Sequence, residues 1–185
     1  ISTSFNSAFA DESANGMVNY GRSFFKFYKA SGSVSVNWSK FNNIQQGNYR
    51  VTESFNQSYT LRASTNFKKL PNFEMGYTYS VNDYSGRRFF TDKPFVKLDY
   101  FFLNGFSLTA DYEYYHYYDK AKIQDNKYDF LNASLIYQKP NSKWEYKFSA
   151  TNLLNTTSMN DNSFNELRIS TSQYFVMPRY LIFSI

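Results

Sequence analysis

The chain is ordered by alternation. From Tyr59 every second residue is Tyr59, Leu61, Ala63, Thr65 and Phe67, and the positions around them are Ser58, Thr60, Arg62, Ser64, Asn66 and Lys68. After Lys69-Leu70-Pro71-Asn72 the alternation resumes as Phe73, Met75, Tyr77, Tyr79 and Val81 against Glu74, Gly76, Thr78, Ser80 and Asn82. Successive side chains of a strand point to opposite faces, so each run presents one apolar, aromatic-rich face and one polar face. Pro71-Asn72 cannot continue a ladder and suits a tight turn. The stretch predicts a hairpin of two long strands.

The rest of the chain repeats this unit. Ile1 to Ala10 alternates weakly, and Asp11 to Gly16 has the composition of a loop. Strands are predicted from Met17 to Phe25 and from about Ser31 to Asn42, joined by a turn near Lys26 to Lys29. Ile44 to Thr52 and Asn82 to Asp92 read as polar loops. Val96, Leu98, Tyr100 and Phe102 then alternate with Phe95, Lys97, Asp99 and Phe101. Leu103-Asn104-Gly105 is a hairpin signal, because Asn-Gly accepts the positive φ such turns need. Phe106, Leu108, Ala110, Tyr112 and Tyr114 follow on one face, with Ser107, Thr109, Asp111, Glu113 and Tyr115 opposite. Asp119 to Asn126 is a further polar loop. Leu131, Ala133, Leu135 and Tyr137 mark the next strand, and Pro140-Asn141-Ser142 a short turn. Trp144, Tyr146, Phe148 and Ala150 oppose Glu145, Lys147, Ser149 and Thr151. A polar stretch from Leu154 to Asn165 precedes a last segment ending at Tyr180 to Ile185. The pattern predicts about nine or ten strands.

Strand length decides which solvent each face wants. Strands of water-soluble proteins usually run about 5–6 residues. These read for roughly ten or more, close to the ~9–11 a tilted strand needs to cross a bilayer. Arg62, Lys68 and Glu74 on the polar face suit a water-filled lumen, and so do the carboxylates of Asp111 and Glu113. The expectation is an all-β fold: a transmembrane antiparallel up-and-down β-barrel, with lipid outside and water inside. Short turns near Lys26, Pro71, Asn104 and Pro140 alternate with longer loops at 43–52, 83–92, 119–127 and 154–165, which that architecture places outside the cell.

Composition sharpens this picture. Tyr 18 and Phe 20 stand beside a mean hydropathy of -0.58, while the Leu, Ile and Val of an ordinary core are sparse. Tyr suits a membrane–water interface, with one end of its ring apolar and the other wet. No run of 18 or more apolar residues predicts a transmembrane helix, which leaves a barrel open because its strands give a weak hydropathy signal. The chain begins at Ile1 rather than Met, so an N-terminal segment is expected to have been removed. Without cysteine there is neither a disulfide framework nor a thiolate ligand. The net charge is +5 and the pI near 9.2, but the Lys and Arg residues are scattered. Interleaved aromatics and basics also describe a single-strand-binding sheet. Against it, the aromatics occupy face after face over many strands, so no nucleic-acid partner is expected.

No catalytic constellation is visible, and the chain does not read as an enzyme. His116 is the only histidine, which excludes a His pair, and an ordinary place near the outer end of a strand accounts for it. No metal or other cofactor is expected. Tyr112, Tyr114, Tyr115, Tyr117 and Tyr118 form the densest aromatic run. An interface girdle is the favoured reading, with Tyr115 the inward-facing exception that could stack a flat or sugar-like ligand. Arg87-Arg88 reads as a solvated loop pair with the option of binding an anionic group. The candidate lumen-facing contacts to a ligand or a plug are Arg62, Glu74, Lys97, Asp99, Asp111, Glu113, Tyr115, Glu145 and Lys147.

The C-terminal part resembles a known family. Trp144-Glu145-Tyr146-Lys147-Phe148-Ser149-Ala150-Thr151-Asn152-Leu153-Leu154-Asn155 looks like the penultimate strand of TonB-dependent outer-membrane receptors. Tyr174-Phe175-Val176-Met177-Pro178-Arg179-Tyr180-Leu181-Ile182-Phe183 is similar to their last strand, with its Pro-Arg entry, and the turn at 66–74 resembles Bacteroidetes-type receptors. The motif-level resemblance covers the last forty or so residues; the remainder matches in pattern. It implies the C-terminal part of a barrel whose plug domain and earlier strands lie upstream, since such receptors have large plugged barrels of about 22 strands. Their final strand runs on to a terminal aromatic where this chain stops at Ile185, which implies that a few terminal residues are missing. It further implies import of a scarce nutrient (a metal chelate, peptide or glycan), with outer-membrane lipid, the upstream plug and strands, TonB through the upstream region, and a surface lipoprotein as partners. The alternative is a structural barrel acting as a scaffold for a surface lipoprotein or secretion machinery.

Overall fold

A computed structural model describes residues 11–45, 48–84, 86–164 and 169–185. The weak strand expected over Ile1 to Ala10 lies outside the described residues. Eleven strands are present among them and no α-helix: β1 Glu12–Phe24, β2 Tyr28–Gln45, β3 Asn48–Thr65, β4 Asn72–Tyr84, β5 Arg87–Phe102, β6 Phe106–Asp119, β7 Asp125–Gln138, β8 Glu145–Thr151, β9 Ser158–Phe164, β10 Ile169–Phe175 and β11 Tyr180–Ser184. Nine of them form one antiparallel up-and-down sheet in the order β1-β2-β3-β4-β5-β6-β7-β8-β11, and β9 and β10 pair with each other. The sheet is not closed into a barrel; β1 and β11 are its edges.

The register keeps the two faces apart over the whole sheet. Val34↔Tyr59, Tyr59↔Tyr79, Met75↔Val96, Leu98↔Ala110, Leu108↔Leu135 and Leu135↔Phe148 stand opposite one another on the apolar face. On the other face hydroxyls meet across the strands: Ser39 with Ser54 at 2.6 Å, Thr60 with Thr78 at 3.0 Å, Ser58 with Ser80 at 3.1 Å and Ser134 with Ser149 at 3.1 Å. Directly opposed side chains are the unit of sheet stabilisation, so each face holds its own register.

Among the described residues nothing covers the apolar face. Phe89, Tyr117 and Ala150 are the only buried apolar residues among those described, and Val34, Leu61, Met75, Val96, Leu135, Phe148 and Leu181 are all exposed. Exposed apolar side chains thus recur on this face over most strands of the sheet.

Several expected loops are strands. Asp11 to Gly16 largely belongs to β1, 43–52 is the paired ends of β2 and β3, and 83–92 is the paired ends of β4 and β5. Within 119–127 only Lys120 to Gln124 is irregular, and 154–165 contains β9. The physical reason is that polarity on both faces signals water on both sides, and does not signal a loop. Once a register is set, extending the ladder satisfies further backbone groups at each step. β1 to β7 accordingly run 13 to 18 residues. The tight turns fall where expected, with one change at 103–105. Leu103 (φ 47°) and Asn104 (φ 45°) are the left-handed pair, and Gly105 comes after them. Gly105 itself has a φ of 150°, and a Cβ on it would lie 2.5 Å from the Gln138 carbonyl oxygen, so its backbone and the close approach to β7 together require glycine there.

The eleven strands exceed the expected nine or ten because the last two long strands are each broken in two. Asn152 (φ 53°) and Asn155 (φ 59°) leave β8 in left-handed conformations, which Asn tolerates. Asn152 is 2% exposed. Its backbone N–H donates to the Asn132 side-chain oxygen at 2.9 Å. Its amide nitrogen donates to the carbonyls of Thr156 at 2.8 Å and Met177 at 2.9 Å, and its amide oxygen accepts from the Thr156 N–H at 2.9 Å. Asn155 accepts from the Arg179 N–H at 3.2 Å, across the break in the neighbouring strand at 176–179. The Asn-Leu-Leu-Asn segment is thus a side-chain substitute for missing ladder bonds.

Candidate functional site

All nine candidate contact residues lie on the polar face, because each shares its strand's phase with the hydroxyl pairs. They do not form one site. Arg62, Glu74, Lys97, Glu113 and Tyr115 line a common groove of about 390 Å³ running from β3 to β7 at mid-height of the sheet. Asp111 stands beside it, opposite Lys97 in register and accepting from the Asn132 amide at 2.8 Å. Asp99 sits nearer the turns, opposite Asn72 and Thr109. Glu145 lines a separate recess at the turn end with Lys68 and Lys69, and Lys147 lies on β8 opposite Ile136 and Ser184.

The groove is built around rings on the polar face. Phe95 on β5 is opposite Gly76 on β4, and a Cβ there would meet the Phe95 ring at 2.4 Å. The missing side chain therefore lets the ring lie down across β4. The Arg62 guanidinium and the Lys97 ammonium sit 5.5 Å and 5.6 Å from its centroid. Next along the groove Tyr115 and Tyr128 stack at 4.6 Å, Tyr128 meets Phe130 edge-on at 5.9 Å, and the Lys93 ammonium lies 4.8 Å over Tyr115. Cations over ring faces are held by the ring quadrupole, at about 0.5–1 kcal/mol where exposed. Arg62 approaches Glu74 at 4.0 Å with both side chains well exposed, a weak pair. Among the described residues neither Lys93 nor Lys97 has a carboxylate within ion-pair distance.

Pro94 adds a local opening. The β5–β6 ladder runs to Asp92↔His116 and resumes at Phe95↔Glu113, and the interruption brackets Pro94, which has no N–H to donate. Lys93 and Tyr115 lie within this unpaired step.

Sequence reasoning missed Lys93, Phe95, Tyr128, Phe130, Gly76 and Pro94. The available signal was phase: Phe95, Tyr115, Tyr128 and Phe130 are aromatics out of step with the apolar series of their strands. Tyr117 is also out of step. It was expected in the girdle, yet it lies on the polar face, is 2% exposed and stacks on Phe89 at 5.6 Å. Tyr112, Tyr114 and Tyr118 are on the apolar face, and Tyr115 on the polar one as expected.

The loop end of the apolar face carries charge. His116 sits between Asp125 at 2.7 Å and Asp92 at 3.6 Å, with Lys127 3.3 Å from Asp125. This histidine has more partners than an ordinary strand end needs. Its hydrogen bond, with help from Lys127, holds the Asp125 carboxyl below the usual carboxylate range. Arg88 was expected on a loop; it lies in β5 and pairs with Asp83 at 3.0 Å, while Arg87 is exposed. No group of three His, Cys, Asp or Glu able to hold a metal occurs among the described residues.

No protein-family model matches the chain, and no curated protein or solved structure is significantly similar to it.

Proposed function

We propose that the sheet is part of the wall of a transmembrane β-barrel of the outer membrane, completed by strands outside this chain. The observation that carries the reading is the banding of the apolar face. Six rings (Tyr100, Phe102, Phe106, Tyr137, Tyr146 and Phe183) run ring to ring along its turn end, with centroids 4.5–6.4 Å apart. Alanines and aliphatics follow, joined by Tyr112 and then by Tyr77 and Tyr114, before Tyr79, Phe90 and Tyr118 in and beside the charged row of Asp92, His116 and Lys127. Ten residues of β6 separate Phe106 from His116, or roughly 24 Å of height at ~3.4 Å per residue and ~45° tilt. The apolar band of outer-membrane barrels is about 25 Å tall between aromatic girdles. Asp129 reaches one row lower, where the Tyr112 hydroxyl donates to it at 3.3 Å.

Within that reading the polar face lines a lumen, and the turn and loop ends are periplasmic and extracellular. The motifs at 144–155 and 174–183 support a TonB-dependent receptor that imports a scarce nutrient, with a plug and TonB contact supplied by upstream segments. The test is extraction of the full-length parent from membranes. The expected result is retention through a carbonate wash, release by detergent, and heat-dependent gel mobility. Release by carbonate alone would overturn the membrane reading.

A further inference from the structure

On the apolar face the charged side chains gather toward the loop end, at Asp92, His116, Lys127 and Asp129. Arg22 stands apart from them. It lies two residues before β1 ends at Phe24, in one register row with Ala30, Ala63, Met75 and Val96. Its guanidinium is 5.6 Å from the centroid of the Phe24 ring, which lies on its turn side. Among the described residues it has no carboxylate within ion-pair distance. None is near in sequence either: between Glu12 and Glu53 the chain has no Asp or Glu, but has Arg22, Lys26, Lys29, Lys40 and Arg50. A guanidinium over a ring keeps its fork of N–H donors available to a carboxylate or phosphate.

Beside Arg22 the apolar face is recessed. Ala30 and Ala63 follow it along its own row, and Gly32 follows Tyr20 along the next one up. These three small residues leave a trough of about 660 Å³, with Leu61 and Tyr77 on one side and Met75 and Val96 on the other. The trough crosses from β1 to β5, four strand spacings or roughly 19 Å at ~4.8 Å each. It also climbs. Arg22 is two residues from the turn end of β1 and Val96 six from that of β5, or roughly 5 Å and 14 Å of height at ~3.4 Å per residue and ~45° tilt. On the barrel reading the low end meets the periplasmic headgroups, and the high end nears the midplane, ~15 Å into a ~30 Å hydrocarbon core. A cation at headgroup level, with an apolar trough rising from it to the midplane, has the layout of one phospholipid. We infer that Arg22 and this trough bind a phospholipid of net negative charge from the periplasmic leaflet, its phosphate on the Arg22 guanidinium and one acyl chain over Ala30, Gly32 and Ala63. A zwitterionic headgroup fits less well, because its ammonium finds Lys26 in the adjoining turn and no carboxylate between Glu12 and Glu53. The inference rests on the barrel reading, which supplies the lipid.

The test is native mass spectrometry of the detergent-purified full-length protein, titrated with phosphatidylglycerol, phosphatidylethanolamine of the same acyl chains, and glycerol 3-phosphate. The expected result is one retained phosphatidylglycerol, bound at least fivefold more tightly than the ethanolamine lipid, and no retained glycerol 3-phosphate. Arg22→Gln should weaken that binding at least tenfold, and Ala63→Phe, which fills the trough and leaves the charge, at least fivefold. Lys143→Gln removes a cation from the β7–β8 turn, away from the trough, and should leave it unchanged. Equal retention of the two lipids, an unaffected Arg22→Gln, or equal losses in Arg22→Gln and Lys143→Gln would each overturn the inference. So would tight binding of glycerol 3-phosphate, which would make Arg22 a plain anion site. Carbonate extraction and heat-dependent mobility are run on the same preparations. A protein that behaves as a membrane barrel and retains no phosphatidylglycerol counts against the lipid site, whether an upstream strand covers Arg22 or nothing does, and release by carbonate counts against the barrel.

Discussion

At mid-height the two faces of the sheet differ in what interrupts them. On the apolar face Ala110, Ala133 and Ala150 stand side by side, bordered by Leu98 and Leu181, and no charged residue enters the row. One residue over, on the polar face, Glu74, Lys97, Asp111 and Asn132 form the row, and rings break into the next ones at Phe95, Tyr115 and Tyr128. The apolar face excludes the polar class entirely there, whereas the polar face admits both. Lipid tails offer no hydrogen-bond partner, so a charge among them is costly, whereas a wet surface tolerates a ring. On the proposed barrel reading, this asymmetry of tolerance separates the two faces more sharply than mean hydropathy does.

The strongest way to break this comparison is to place one charge on each face at the same height. Ala133→Arg should cost about 2–4 kcal/mol of folding stability in bilayers, and Ser134→Arg, its neighbour in sequence, about 0–1 kcal/mol. Equilibrium unfolding from lipid vesicles measures both, and equal costs would mean that both faces see the same solvent. Next in size is the point where alternation stops. Asn152→Ala leaves the Met177 and Thr156 carbonyls and the Thr156 N–H without their partner, at about 2–3 kcal/mol. Hydrogen exchange should report faster opening of β9 and β10 with β3 to β6 unchanged.

A smaller effect tests the rings on the polar face. Gly76→Ala drives a methyl group into the Phe95 ring and should cost about 1–2 kcal/mol. Combining it with Phe95→Ala should recover most of the clash term, and strict additivity of the two variants would show that the ring does not lie over Gly76. The smallest concerns the charged border. The Asp125 carboxyl is held below its ordinary range by His116, so its contribution is present above about pH 4 and is lost as pH falls below that. His116→Gln should flatten the acid-side increase in amide exchange across β6 and β7, and an unchanged profile would remove His116 from the border's cohesion.

Legibility in the sequence varied with the length scale of the cause. Alternation around Tyr59 to Val81 was readable because a strand's period is local. The tight turns at Pro71, Asn104 and Pro140 were readable for the same reason. The polar ends of β2 to β5 were misjudged as loops because pairing partners, rather than composition, keep them extended. The candidate residues were assigned to their face correctly from phase alone. Their division into a groove around Phe95 and outlying positions such as Glu145 and Lys147 was not legible, since it depends on which strand lies beside which and in what register. The Asn-Leu-Leu-Asn segment was visible as a motif, but its role at the break depends on Asn132 and Met177, 20 and 25 residues away.

The sequence by itself determined an all-β chain of long two-faced strands and the sorting of side chains between the faces. Those follow from a two-residue period and a few turn residues. Only the tertiary structure decided the register. It brings Gly76 under Phe95, Lys93 over Tyr115 and His116 between two aspartates. Each of those pairs joins residues on different strands, and a one-residue slip would reverse which face meets which.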